Sequence, residues 1–76
     1  MKYAYQNIRL GGYAETALLA FRTAAERSAF NSRHPVESVT RARVPRSHLR
    51  ALLAIGVCGY NDAVYCAIVG TSYQDE

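Results

Sequence analysis

The sequence predicts a small α+β domain in which a three-stranded sheet carries two helices on one face. Three observations lead to this prediction: 76 residues make one domain, half of them are hydrophobic, and segments with strand and helix patterns alternate along the chain. The predicted order is β-α-β-α-β, and it forms two layers because each helix bridges two strands. A single domain over 1–76 is expected.

The first half of the chain is predicted to form a strand and then a long helix. Residues 2–10 (KYAYQNIRL) alternate, with Tyr3 and Tyr5 on one side of the strand. The Gly-Gly pair that follows favours a turn. Residues 14–30 (AETALLAFRTAAERSAF) are rich in Ala, Leu, Glu and Arg, and their apolar residues recur at helical spacing. These residues are therefore expected to form the first helix.

The second half is predicted to contain a strand, a short helix and a last strand. Residues 36–44 (VESVTRARV) alternate between small or apolar residues and charged ones. Pro45 suits the first turn of a helix, which an apolar stripe continues until Gly56. Residues 63–73 (AVYCAIVGTSY) are apolar on both sides, as is typical of a strand with both faces covered.

With both helices on one face, the other face of the sheet is predicted to be open. Val39 and Val69 are expected on that open face, whereas Val64, Cys66 and Ile68 are expected in the core. A partner-binding surface is predicted from the Tyr and Arg residues of the open face and of the short helix. Its members are Tyr3, Tyr5, Arg41, Arg43, Arg46, Arg50 and Tyr65. Such side chains are typical of protein interface hot spots, and Tyr rings also stack on the bases of single-stranded RNA.

The charge distribution indicates an anionic partner. The net charge is +3, yet residues 22–50 hold seven Arg against two Glu, which gives this segment a local charge of +5. Four of these Arg lie between positions 41 and 50. Guanidinium groups pair with carboxylates and phosphates through two parallel hydrogen bonds. The expected partners are an acidic protein surface, a nucleoprotein complex or a nucleic acid.

No catalytic, metal or cofactor motif supports an enzyme. The residues considered for a zinc site or a nucleophile are His34, His48, Cys58 and Cys66, but no CxxC or HxxxH spacing occurs. Neither GxGxxG nor GxxxxGK[ST] is present. The apolar windows are too short to span a membrane, and the N-terminus lacks the apolar core of a signal peptide. The expectation is a cytoplasmic protein without cofactor, metal or membrane partner.

The leading functional hypothesis is a small binding protein that occludes a surface on a larger macromolecule. A phage-encoded inhibitor of a nucleic-acid defence complex, of the anti-CRISPR kind, is one concrete form, suggested by chain size and the lack of motifs alone. One alternative is a nucleic-acid-binding module that uses the same Arg and Tyr residues. Another is a self-associating structural protein whose apolar last strand forms a homodimer seam.

Overall fold

The computed structural model describes residues 1–10, 12–41, 43–55 and 62–73. Along the chain the elements are β1 (Lys2–Leu10), β2 (Tyr13–Phe21), α1 (Ala24–Arg33), β3 (Ser38–Val39), α2 (Arg46–Ile55) and β4 (Tyr65–Tyr73). The α+β class is confirmed. Within these ranges the sheet has four strands and not three, in the order β3-β1-β2-β4, and every neighbouring pair is antiparallel.

The predicted helix over 14–30 is wrong, because its first half is the strand β2. β1 and β2 form a hairpin in which Leu10 pairs with Tyr13 and Lys2 with Phe21. The two residues between Leu10 and Tyr13 are both Gly, a composition that favours two-residue hairpin connections. Tertiary pairing therefore overrides the helix propensity of the Ala and Leu residues in β2.

β2 is the central strand of the molecule and is buried on both sides. Its last five residues, Ala17 to Phe21, are all fully buried. Successive side chains of a strand point to opposite faces, so this uninterrupted burial requires cover on both faces of the sheet. One helix on each face supplies that cover.

The two helices consequently lie on opposite faces, and the prediction of two helices on one face is wrong. Phe30 of α1 packs in one core cluster with Leu19, whereas Leu52 of α2 packs in another with Leu18. The same alternation holds in β1, where Ala4 belongs to the α1 cluster and Tyr5 to the α2 cluster. The domain therefore has three layers, helix, sheet and helix, where two were predicted.

α1 begins and ends with its own capping interactions. The Thr23 side chain accepts a hydrogen bond from the backbone N–H of Glu26 at 3.2 Å, the cap expected from a T-x-x-E sequence. At the other end the N–H of His34 donates to the carbonyl of Phe30 at 3.1 Å. The Phe30 ring lies 5.3 Å from the ring of Phe21, which fixes α1 against the hairpin.

The predicted strand over 36–44 is reduced to β3. Among the described residues of this segment, Ser38–Val39 pair with β1, opposite Gln6 and Tyr5. Ser38 is held locally, since its N–H and its hydroxyl both donate to the carbonyl of His34, at 3.0 and 2.6 Å. Val39, expected on an open face, packs instead in the α2 cluster.

The last two elements confirm the predicted short helix and last strand. The Pro45 carbonyl accepts hydrogen bonds from the N–H groups of His48 and Leu49, so Pro45 opens α2 as expected. The predicted core set of β4 is only partly right. Cys66 packs against the α1 cluster, but Ile68 is 45% exposed.

Truncation of adjacent residues in β2 tests burial on both faces. Leu18→Ala and Leu19→Ala are each expected to lower the free energy of unfolding by about 2–5 kcal/mol, because each leaves a cavity under a different helix. Leu53→Ala, at an exposed position of α2, is expected to stay within about 0.5 kcal/mol of wild type. Urea denaturation measures all three. A small effect at either Leu18 or Leu19 contradicts the three-layer arrangement.

Candidate docking surface

The tyrosine face of the sheet is covered by α2 and is not open. Tyr3, Tyr5 and Tyr65 do share one face, as predicted, but all three belong to the α2 side of the core. Tyr5 is only 2% exposed, and Tyr3 and Tyr65 are half-buried. The prediction that these rings point outward is therefore wrong for Tyr5, whose side chain lies inside the fold.

Tyr5 connects the sheet to both neighbouring segments. Its hydroxyl is hydrogen-bonded to Nδ1 of His48 on α2 at 2.9 Å, and the two rings meet edge to face at 5.8 Å. The guanidinium carbon of Arg41 lies 4.5 Å from the centre of the Tyr5 ring, within the range of a cation–π contact. One buried phenol thereby positions α2 and the segment before it.

The surroundings of Tyr5 also change its acidity. Burial raises the pKa of the phenol above its ordinary value of 10.0, because the anionic form loses its hydration. The positive charge of Arg41 opposes part of this rise. Tyr5 is therefore uncharged at neutral pH.

An apolar groove lies where α2 meets the ends of the strands. It has a volume of about 280 Å³, and its lining is formed by Met1, Tyr3, Ala20, Leu49, Leu52, Leu53 and Tyr65. Leu53 is 72% exposed and Met1 is 60% exposed, although both are apolar. This apolar groove is thus open to a partner's side chains.

A basic groove runs along the edge of β1 next to β3. Its volume is about 270 Å³, and it is lined by Tyr3, Ala4, Tyr5, Arg27, Ser28, Asn31, Val39, Thr40, Arg41 and Val44. Two guanidinium groups, from α1 and from the segment after β3, therefore border one groove, and its described lining holds no carboxylate. Tyr3 lines both grooves, so they adjoin across its ring.

The four predicted arginines are all exposed. Arg41 borders the basic groove, and Arg46 and Arg50 lie one turn apart on α2. Arg43 lies between Arg41 and Arg46 in sequence. The ion pair that the described residues show joins Arg33 to Asp62 at 3.4 Å, away from this set. The four guanidinium groups therefore lack a carboxylate partner within the described part of the chain.

We name the two grooves together with Arg43, Arg46 and Arg50 the docking surface. Of the seven residues predicted from the sequence, four line these grooves, and Tyr5 acts there as an internal support: Tyr3, Tyr5, Arg41 and Tyr65. Sequence reasoning missed the apolar members Met1, Leu49 and Leu53, and also Arg27. The spacing of Leu49 and Leu53 places them on one side of α2, and this apolar stripe is the sequence signal that could have identified the apolar groove.

The residues considered for chemistry are not brought together in the described ranges. His48 bonds to Tyr5, whereas His34 closes α1 and stacks 5.1 Å from Phe30. Cys66 belongs to the α1 side of the sheet, and Cys58 lies outside the described residues. No group of three metal-ligating side chains occurs in the part of the chain that the structure describes.

Tyr5→Phe tests the buried phenol through its pH dependence. At neutral pH the variant is expected to lose about 1 kcal/mol of stability, because His48 loses its partner. The contribution of the Tyr5 hydroxyl is present below the unfolded-state pKa of 10.0 and falls as pH rises through the raised folded-state pKa. The stability difference between wild type and variant should therefore shrink above pH 10 in urea titrations. A difference that grows above pH 10 contradicts the assignment.

In the described ranges, no helix has the length and apolar character needed to cross a membrane.

Protein-family models, curated proteins and solved structures were each compared with the chain, and none of the three comparisons gave a match.

Proposed function

We propose that the protein is a non-catalytic binding protein that covers an acidic surface of a larger macromolecular partner. The observation that carries this proposal is the docking surface itself: an open apolar groove beside exposed arginines that no carboxylate of the described chain neutralises. An inhibitor of a nucleic-acid defence complex, of the anti-CRISPR kind, is one form that such a protein can take.

A protein partner is favoured by the apolar groove. Leu53 and Met1 are exposed. Their burial by a partner would contribute roughly 25 cal/mol of favourable binding free energy for each Å² of apolar surface removed from water. Arg and aromatic residues around an apolar centre are the composition of interface hot spots. A nucleic acid backbone offers no comparable apolar group for the groove. We therefore assign the apolar groove to a hydrophobic side chain of a protein.

The basic groove supports acidic side chains as the second element of recognition. Arg27 and Arg41 approach it from different segments, and Ser28, Asn31 and Thr40 add hydroxyl and amide groups. A carboxylate placed there can receive several charge-assisted hydrogen bonds. The partner is thus expected to present an acidic residue close to an apolar one.

The alternative of nucleic-acid binding keeps the arginines but loses the tyrosine platform. Bases stack on aromatic rings that stand open on a sheet, whereas α2 covers this face and Tyr5 is buried. Contact between the four arginines and the phosphate backbone of a nucleic acid remains as the alternative. It predicts a strong dependence of affinity on salt.

Two variants of α2 test the proposal in affinity capture from nuclease-treated extract of the native cell. Arg46→Ala/Arg50→Ala and Leu53→Asp are each expected to lower the affinity for the captured partner by at least about tenfold, since each removes one element of recognition. Circular dichroism checks that both variants are folded. The matched control is Arg9→Ala/Arg22→Ala, which removes the same charge from exposed positions outside the surface and should bind like wild type.

The results also separate the two kinds of partner. Partner binding that survives both α2 variants contradicts the assigned surface. Binding of a DNA or RNA oligonucleotide that is unaffected by Leu53→Asp favours the nucleic-acid alternative. For duplex DNA and four phosphate contacts, the log-log slope against salt would then be about −3.6.

A further inference from the structure

The two edges of the sheet differ in how well they are protected from pairing with another chain. At one edge, β3 has only two residues. Short edge strands resist edge-to-edge association. Among the residues that the structure describes, the other edge is β4, a strand of nine residues without a single Asp, Glu, Lys, Arg or Pro. This edge carries none of the charged or Pro residues that proteins use against strand pairing.

From this contrast we infer that β4 pairs with β4 of a second copy, antiparallel across a two-fold axis, to give a continuous eight-stranded sheet. A strand edge presents alternating N–H and C=O groups, and the partner that satisfies them all is another strand edge. A second copy offers an edge of the same length and the same lack of charge. Within β4 itself, the paired strands bring no charged side chain to the seam.

The exposed side chains of β4 support this edge as an interface. Ile68 is 45% exposed although it is apolar, whereas its strand neighbour Val69 packs against the α2 cluster. The extra residue of β4 at the register shift opposite Thr16 and Ala17 is Val69. Such a bulge bends the edge strand and hinders pairing at that point, so pairing with a second copy is expected on either side of Val69 and not at it. Pairing with a second copy would bring Ile68 beside the partner's apolar strand.

The proposed axis has a consequence for the docking surface. A two-fold axis perpendicular to the sheet keeps each face on its own side, so both copies of α2 lie on one face of the dimer and both copies of α1 on the other. α2 packs against β4 and therefore lies close to this axis. The dimer would present two docking surfaces in the same direction. Formation of this dimer does not depend on what the two docking surfaces bind.

The mass of the full chain in solution tests the inference. Sedimentation equilibrium over a wide concentration range should show a species of twice the 8.4 kDa chain mass for wild type. Thr71→Lys places a charge on the β4 edge, where the exposed Thr71 stands opposite Glu15 of β2. The new Lys can face Glu15 within the chain, so the variant should stay folded and become a monomer. A monomeric wild type at the highest concentration overturns the inference.

Two controls locate the interface. Ser32→Lys adds the same charge at an exposed position of α1 and should remain dimeric, as should the Arg46→Ala/Arg50→Ala variant of the docking surface. A Thr71→Lys protein that is still dimeric shows a different interface and contradicts the inference. If Thr71→Lys fails to fold, amide hydrogen exchange of the wild-type chain, measured at several protein concentrations, tests the β4 interface instead. Amides of 67–73 must become more protected as concentration rises, while those of α1 do not; unchanged protection refutes the β4 seam.

Discussion

The structure depends on one constraint: the end of β2 is apolar on both sides. A helix on one face cannot cover all five consecutive buried residues of β2, since adjacent side chains point to opposite faces of the sheet. Phe30 of α1 closes one face and Leu52 of α2 closes the other. At 76 residues the chain has little further apolar surface to bury, so the placement of both helices follows from this strand.

The same constraint moves the candidate binding site from the sheet to its border. α2 takes the face that carries the tyrosines and holds Tyr5 through its hydrogen bond to His48. What remains accessible is the outer side of α2, the ring of Tyr3 between the two grooves and the arginines around them. The pattern of apolar centre and basic border suits recognition of a protein more closely than stacking of bases, because the rings that could form a stacking platform are used internally.

The strands β1 and β4 and the helix after Pro45 could be predicted from sequence, as could the exposure of the arginines, whose charged ends stay in water. β2 could not, because AETALLAF has helix-forming residues and only pairing on both edges makes it a strand. Two local signals pointed to it: the two-residue Gly-Gly connection and the T-x-x-E cap that starts α1 at Thr23. The face taken by α2 depends on packing that no single segment encodes, so the burial of Tyr5 could not be predicted.

The assignment of α1 and α2 to opposite faces of β2 is the central claim, and NMR distance contacts in the full chain test it most directly. The account predicts contacts between Leu19 and the ring of Phe30, contacts between Leu18 and Leu52, and strand-type chemical shifts over 17–21. Helical shifts over the same residues, or contacts from Phe30 and Leu52 to the same side of β2, would contradict the account and with it the docking surface at the border of α2.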